Sequence, residues 1–568
     1  MANFRINKKH RQITGGQAVV KSLKKIGVKH VFGLIGSAAM EIFDALYDCK
    51  EIKFIGVRDE RTGTHMADGY ARITGKPGIM IAGQNGPGAT NLVTGVAQAA
   101  AAFSPVITIA GDISSEHSGK DSFQEVDQQT IFEPITKKTF SINKTSKIPE
   151  VINDAFKIAL KPRCGPVHIN IPRDVLSNKS IFKDFKKFTI KSLPSPTTKD
   201  LKKVIAIIEN SSQPVIIAGG GIKNSKGYKE VISFAHRLNI PITSSAGHGD
   251  AIPYSEKLYA GQIGPRGNVV ASKLIKEADV IIALGTRLGF NSTFFSYDNI
   301  NKNAHIIQID VEKKALGRYF PISIGICADA KTVAKKLYEK SKTIKNINKF
   351  EKWTKKFLDN KKKYLIKRDL KTKKTNHLIQ PENIFKILRE TIPKNSAITL
   401  DAGTLCLQAT DSFNHYNPPC FFTPLDFGLV GFSFACGLGV KLAKPNSHVI
   451  SLIGDGGFGM TISELSTAVQ NNIKTIIIVM NNECWGAEKA YQRDFFNKRY
   501  IGSDLKNPPF HKIAELYGAK GYKVNKLLDL EKTIQAALSC NKPAVINIEV
   551  DPKALYSFRK DSFKHKLK

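Results

Sequence analysis

Two short clusters in the last third of the chain have the residue types to hold a metal ion and a diphosphate together. Gly454-Asp455-Gly456 closes the apolar run 448–457, and Asn481-Asn482 closes the next run, 475–482. The 24 residues between them, 457–480, are enough for one crossover helix joining two parallel strands. Such a unit brings both clusters to the C-terminal edge of one sheet, where ligands bind in open α/β folds. An Asp and an Asn supply hard oxygen donors of the kind Mg2+ takes beside phosphate oxygens. The flanking glycines let backbone N–H groups approach those oxygens closely. Alone, either cluster reads as a turn or a strand end; as a pair at this spacing they point to chemistry.

The elements that must position these residues follow from hydrophobic patterning. Short β-branched runs occur at 79–83, 106–111, 167–171, 214–221, 279–286, 305–310, 397–403, 448–457, 475–482 and 544–550. Near-continuous apolar runs bounded by turn residues are expected of strands buried on both faces. Helical patterns separate them, for example at 89–102 and 463–471. Alternating strand and helix predicts an α/β fold built from mostly parallel sheets flanked by helices. Residues 178–200, rich in Lys, Ser and Pro, read as a linker. Residues 341–376 are strongly basic, but Phe350, Trp353, Phe357 and Tyr364 recur at helical spacing, which predicts a packed helix with a solvated basic face. The cuts divide the 568 residues into three consecutive domains, 1–180, 195–340 and 378–552, with a tail at 553–568.

Composition excludes several function classes. At 42% hydrophobic the chain is neither disordered nor low-complexity, and its longest apolar runs fall far short of the ~20 residues of a membrane span. The formal charge of +36 invites a nucleic-acid reading, but only 16 of the 85 basic residues are Arg, and the Lys are scattered. No nucleic-acid or membrane partner is expected. The basic N-terminal stretch has no apolar run after it, and the eight Cys contain no CxxC pair, so reduced thiols and a cytoplasmic location are expected.

The spacing of GDG and NN resembles the thiamine-diphosphate signature. Over nearly its whole length the chain resembles the acetolactate-synthase-like thiamine enzymes, whose domains bind the pyrimidine, fill the centre and bind the diphosphate in that order. The resemblance implies thiamine diphosphate with Mg2+ held by Asp455, Asn482 and the backbone carbonyl of Cys484. It implies diphosphate contacts from the DAGTL segment, through Ala402, Gly403 and Thr404. Further cofactor contacts would come from Gly86, Gly428, Gly454, Gly456 and Gly457, and from Trp485 and Gly486. In the stretch VRDERTGTHMADGYARITG, 57–75, the match places the family's glutamate at Glu60. A carboxylic acid there favours the cofactor's imino tautomer, so Glu60 should be shielded from water and its pKa raised. Outside that match Glu60 reads as an ordinary acid at a helix N-terminus. The stretch 426–443 places at Val430 the apolar side chain that bends the cofactor.

Within the group, Gln84-Asn85-Gly86-Pro87-Gly88 stands where acetolactate synthases have Thr-Ser before Gly-Pro-Gly. With FQEVDQQTIFEPITK, 123–137, and WGAEKAYQRDFFNKRY, 485–500, it resembles the sulfoacetaldehyde acetyltransferases, although Asp59 replaces their His. This implies cleavage of sulfoacetaldehyde by way of the cofactor ylide and its acetyl adduct, with phosphate as acceptor and acetyl phosphate and sulfite as products. Gln124 and Lys137 are candidate catalytic residues. Gln84, Asn85, Lys489, Arg493, Arg499 and Arg559 are candidates for binding the substrate anions. The AGGG turn at 218–221 lacks a full dinucleotide fingerprint, so FAD is not expected. The resemblance also implies a homo-oligomer, dimer or tetramer, with Glu60 of one subunit serving the metal site of another.

Overall fold

The computed structural model describes residues 12–182, 185, 188–189, 193–265, 267–370, 378–558, 562–563 and 565. The chain forms two units, Met1–Lys191 and Ser192–Lys568.

The first unit is built on one six-stranded sheet, every strand parallel to its neighbours. From edge to edge its strands are Lys53–Gly56, His30–Leu34, Gly78–Ala82, Val106–Asp112, Val167–Pro172 and Lys138–Ser141. The inner strands are buried on both faces, as at Gly78–Ala82, where all five residues are buried. Each Ile or Val so buried contributes about 1.5–3 kcal/mol of transfer free energy. Helices start at marked positions. Thr14 and Gln17 form a reciprocal capping box for Gly15–Ile26. Asp59 caps Glu60–Thr74 by accepting the N–H groups of Arg61 and Thr62, and Gly75 ends that helix at φ 68°.

The second unit holds two more six-stranded parallel sheets. In the second sheet the order is Tyr259–Gln262, Ile242–Ser244, Pro214–Ala218, Val280–Leu284, His305–Asp310 and Ile324–Cys327. In the third it is Phe421–Phe422, Ala397–Leu400, Val449–Gly454, Ile476–Asn481, Ala544–Glu549 and Lys520–Val524. Counted along the chain, the first and third sheets share the order 2-1-3-4-6-5, whereas the second runs 3-2-1-4-5-6. The strand order of the third sheet reverses between Ala397–Leu400 and Val449–Gly454. That switch point leaves a crevice at the carboxyl ends of the two strands, directly ahead of Asp401 and Asp455.

The basic segment is the helix Glu351–Leu370. Trp353 and Phe357 are buried, and the Trp353 indole donates to the Pro214 carbonyl at 3.0 Å. Tyr364 donates to Asp411 and so ties the helix to the third domain. Among the described residues no helix is long and apolar enough to cross a membrane.

Candidate active site

At the switch point of the third sheet lies a cavity of about 430 Å3. Its wall brings together Ala402, Gly403, Thr404, Gly428, Val430 and Gly454 through Gly457 with Asn482, Cys484, Trp485 and Gly486. Phe290 and Asn291 of the second domain, with Glu488, Tyr491 and Phe558, also line it.

The glycines are dictated by what lies against them. A Cβ at Gly456 would stand 2.6 Å from the Trp485 ring, and one at Gly457 2.3 Å from Asp401 Oδ2. Asp401 is buried, and its carboxylate accepts the N–H groups of Gly431, Phe432 and Ser433 at 3.0, 2.7 and 3.2 Å. It therefore fixes the turn that carries Val430. Burial pushes the Asp401 carboxyl up to about 6, against those three donors.

Asp455 is buried at the first position of the helix Asp455–Gly459. Its Oδ2 accepts from Asn507 Nδ2 at 2.7 Å, and the same nitrogen donates to Asn481 Oδ1 at 3.0 Å. One side chain thus links the ends of the two strands that carry the GDG and NN clusters. Burial raises the Asp455 carboxyl to about 6. Asn482 is 2% exposed, yet among the described residues its Nδ2 has no partner, and Thr404 Oγ1 is likewise buried and unpartnered there. Trp485 N–H bonds to the Ser503 carbonyl and Leu505 N–H to that of Glu483, so this bridge leaves the Cys484 carbonyl out. The Cys484 thiol is pushed up to about 11 by burial, which favours a carbonyl role over a thiolate one.

Two orphaned polar atoms on a concave wall, beside a buried carboxylate and glycines with no room for a side chain, fit a polyanionic ligand and its cation. Among the described residues no group of three or more His, Cys, Asp or Glu could hold a metal. An ion here would take a mixed set: one carboxylate, one amide oxygen and one backbone carbonyl.

Of the candidate cations, the described Lys489, Arg493 and Arg499 do not line this cavity. Lys489 pairs with Asp504, and Arg493 pairs with Asp494 at 2.6 Å and reaches the Leu555 carbonyl at 3.3 Å. Arg499 is exposed, and Arg559 lies outside the described residues. Among the described residues the cavity wall contains Asp401, Asp426, Asp455 and Glu488 but no Lys or Arg.

In the first unit Glu60 is 3% exposed, and Asn91 Nδ2 donates to its Oε2 at 3.1 Å. Burial is the main cause of its raised pKa. A Cβ at Gly88 would lie 3.2 Å from Glu60 Oε1, so the glycine lets the helix Gly86–Ala101 begin against the acid. Asn85 Nδ2 donates to the carbonyls of Phe123 and Gln124 at 3.3 and 2.8 Å. A Cβ at Gly86 would stand 2.5 Å from the Gln124 carbonyl. Gln84, Asn85, Gly86 and Gln124 therefore form one loop cluster, in which Gln124 holds a left-handed backbone at φ 62°. Gln84 Oε1 accepts from Ser37 at 3.3 Å. Lys137 instead donates to the carbonyls of Lys161 and Arg163 at 2.6 and 2.7 Å, bracing that loop.

Two positioning residues escaped the sequence reading. Asn91 follows the Gly86-Pro87-Gly88 stretch by three residues, whereas Asn507, 25 residues beyond Asn482 in a Pro-rich loop, carries no signal of its own.

Residues 13–131, 201–337 and 401–548 match the N-terminal TPP binding domain, the central domain and the C-terminal TPP binding domain of the thiamine pyrophosphate enzymes. The probable acetolactate synthase large subunit of Methanococcus aeolicus is 33% identical, over 96% of this chain and 93% of its own. The acetolactate synthase large subunit of Buchnera aphidicola subsp. Acyrthosiphon pisum is 35% identical over 93% and 92%. The sulfoacetaldehyde acetyltransferase of Castellaniella defragrans is 32% identical over 97% and 96%.

Proposed function

This chain belongs to the thiamine pyrophosphate enzymes, and on that premise we propose that it converts sulfoacetaldehyde and inorganic phosphate to acetyl phosphate and sulfite. The observation that carries this choice is the loop cluster in which Gln84-Asn85 precedes Gly86-Pro87-Gly88 and Asn85 holds the backbone at Gln124. The amide groups of Gln84 and Gln124 are the proposed donors to the substrate's anionic group, since amides bond oxyanions without adding charge.

The conversion is redox-neutral. The aldehyde carbon rises to the acyl level, the methylene carbon falls to methyl, and sulfite leaves with the carbon–sulfur electron pair. When bound, thiamine diphosphate would supply the carbon nucleophile for the aldehyde and hold the electron pair of the broken aldehyde C–H bond until sulfite departs. Asp455, Asn482 and the Cys484 carbonyl would hold Mg2+, with Thr404 Oγ1 and the N–H groups after Gly454 turned to the diphosphate. Glu60 would hold its proton at the carboxyl, and Val430 would orient the rings. Asp401 keeps Val430 in place. The active form is proposed to be a homodimer or homotetramer, and an active monomer in sedimentation would contradict that.

A second reading, condensation of pyruvate to acetolactate or decarboxylation of another 2-keto acid, is supported by the likeness to acetolactate synthase large subunits at 33% and 35% identity. One product assay separates the two. With thiamine diphosphate, Mg2+ and phosphate, sulfoacetaldehyde should yield sulfite and acetyl phosphate in equal amounts, and pyruvate little or nothing. Acetolactate from pyruvate with no sulfite from sulfoacetaldehyde would select the second reading.

A further inference from the structure

The second domain holds a buried charged cluster that no step above uses. Lys223 lies on the helix Gly220–Ser225, just after the triple-glycine turn. That turn packs backbone on backbone: Gly221 N–H donates to the Gly285 carbonyl at 3.0 Å, and a Cβ at Gly219 would stand 2.3 Å from the same oxygen. The glycines thus seat the helix so that the Lys223 ammonium lies 2.9 Å from Asp250 Oδ1, with side-chain exposures of 8% and 0%.

The pair reaches into the third domain. Asp250 Oδ2 accepts the N–H groups of Cys420 and Phe421 at 2.8 and 2.9 Å. Lys223 donates to the Phe421 carbonyl and lies 4.7 Å over the Phe422 ring. Phe421–Phe422 is an edge strand with only two residues in register with its neighbour. Its open side is gripped by the second domain instead of by another strand. Downstream, Thr423, Leu425, Phe427, Gly428 and Val430 line the cavity, and Asn291 Nδ2 holds the Leu425 carbonyl at 3.0 Å. Asp401 fixes the far end of this segment at residues 431–433. The wall 423–430 is therefore stretched between two anchors, one of which belongs to the second domain.

We infer that Lys223 and Asp250 are positioning residues that set the cavity wall 423–430, so that the second domain controls ligand affinity in the third. The consequence for affinity rests on reading the cavity as the thiamine diphosphate site. A buried pair suits the task because both a backbone N–H and a backbone carbonyl of the strand need a partner where no neighbouring strand supplies one.

Hydrogen exchange and thiamine diphosphate titration of the full chain test this. Asp250→Ala should speed amide exchange across 420–430 at least tenfold and weaken thiamine diphosphate binding at least tenfold. Exchange at 454–457 and 482–486 should stay as in the wild type. The double variant Lys223→Met/Asp250→Asn, which keeps an acceptor for both N–H groups and buries no lone charge, should restore most of both. If Asp250→Ala does not fold, Asn291→Ala is read the same way at 424–428. Unchanged exchange at 420–430 in a folded variant, or faster exchange spread evenly over 192–568, overturns the inference. A wild type that binds no thiamine diphosphate defeats the cofactor reading instead, and the exchange result still decides the clasp.

Discussion

At Glu60 burial opposes the charge: the residue is 3% exposed, and desolvation raises its pKa against the Asn91 hydrogen bond that favours ionisation. A raised pKa keeps the proton on the acid, so a turnover that needs protonated Glu60 should fall as pH rises through that pKa. Glu60→Gln has the same shape but no exchangeable acid proton. It should leave the unfolding midpoint nearly unchanged and slow deuterium exchange at the cofactor's reactive carbon by about 10²–10⁴-fold, the usual worth of a general acid–base group. Proton NMR of that exchange checks it, and an unchanged rate removes Glu60 from the mechanism. Asn507 acts one step back, because it touches Asp455 Oδ2 and Asn481 Oδ1 and orients both strand ends. Asn507→Ala should raise the Mg2+ concentration needed for half-maximal activity about 10–100-fold, as loss of an outer-shell partner does. Asp455 and Glu60 could be picked out because their neighbours in sequence carry a pattern. Asn507 could not, since its partners are set by tertiary folding alone. At Lys489 and Arg493, too, the sequence shows a charge but not that Asp504 and Asp494 pair with it.

Among the elements, legibility followed burial. Inner strands such as Val280–Leu284 and Ile476–Asn481 are buried on both faces and stood out as unbroken apolar runs. Edge strands such as Lys520–Val524 and Lys53–Gly56 face solvent on one side, and Lys and Gly interrupt their patterns. Two inner strands also went unseen. Ile242–Ser244 is only three residues long, and His30–Leu34 is broken by Gly33. Inside the first sheet, Val167–Pro172 carries His168, which bonds Thr108 Oγ1 at 2.9 Å and Gln128 Oε1 at 3.1 Å and stacks on Phe132 at 3.8 Å. Burial lowers its pKa from 6.5 to about 3. The unfolded chain therefore takes up this proton first. The stability tied to neutral His168 is full above pH 6.5 and falls as pH drops toward 3. The slope should be about 1.4 kcal/mol per pH unit for one such proton. His168→Gln should flatten the acid limb of the first unit by that amount while costing about 1–3 kcal/mol at neutral pH. Urea midpoints between pH 4 and 7, followed by a probe in that unit, measure both effects.

For the molecule as a whole, the three-domain order was legible because each domain repeats the strand–helix alternation. The role of the middle domain was not, since Lys223 and Asp250 meet the Phe421 backbone only in the folded chain. The net charge of +36 has no counterpart in the cavity, whose described wall carries four carboxylates and no Lys or Arg. A net charge of that size draws anions toward the surface at long range. Ligand binding should also register on the global fold. Thiamine diphosphate with Mg2+ at 100 times its Kd should stabilise the unit 192–568 by about 2.7 kcal/mol, and chelation of Mg2+ should reverse the gain. Differential scanning calorimetry with and without the chelator follows it. The most direct measurement of the central claim is calorimetric titration of thiamine diphosphate into the wild type and into Asp455→Ala, with and without Mg2+. One Mg2+-dependent site per chain is predicted in the wild type, weakened at least about 100-fold in Asp455→Ala, because even outer-shell losses cost about 10–100-fold. Equal affinity in the two proteins, or binding indifferent to Mg2+, would contradict the account.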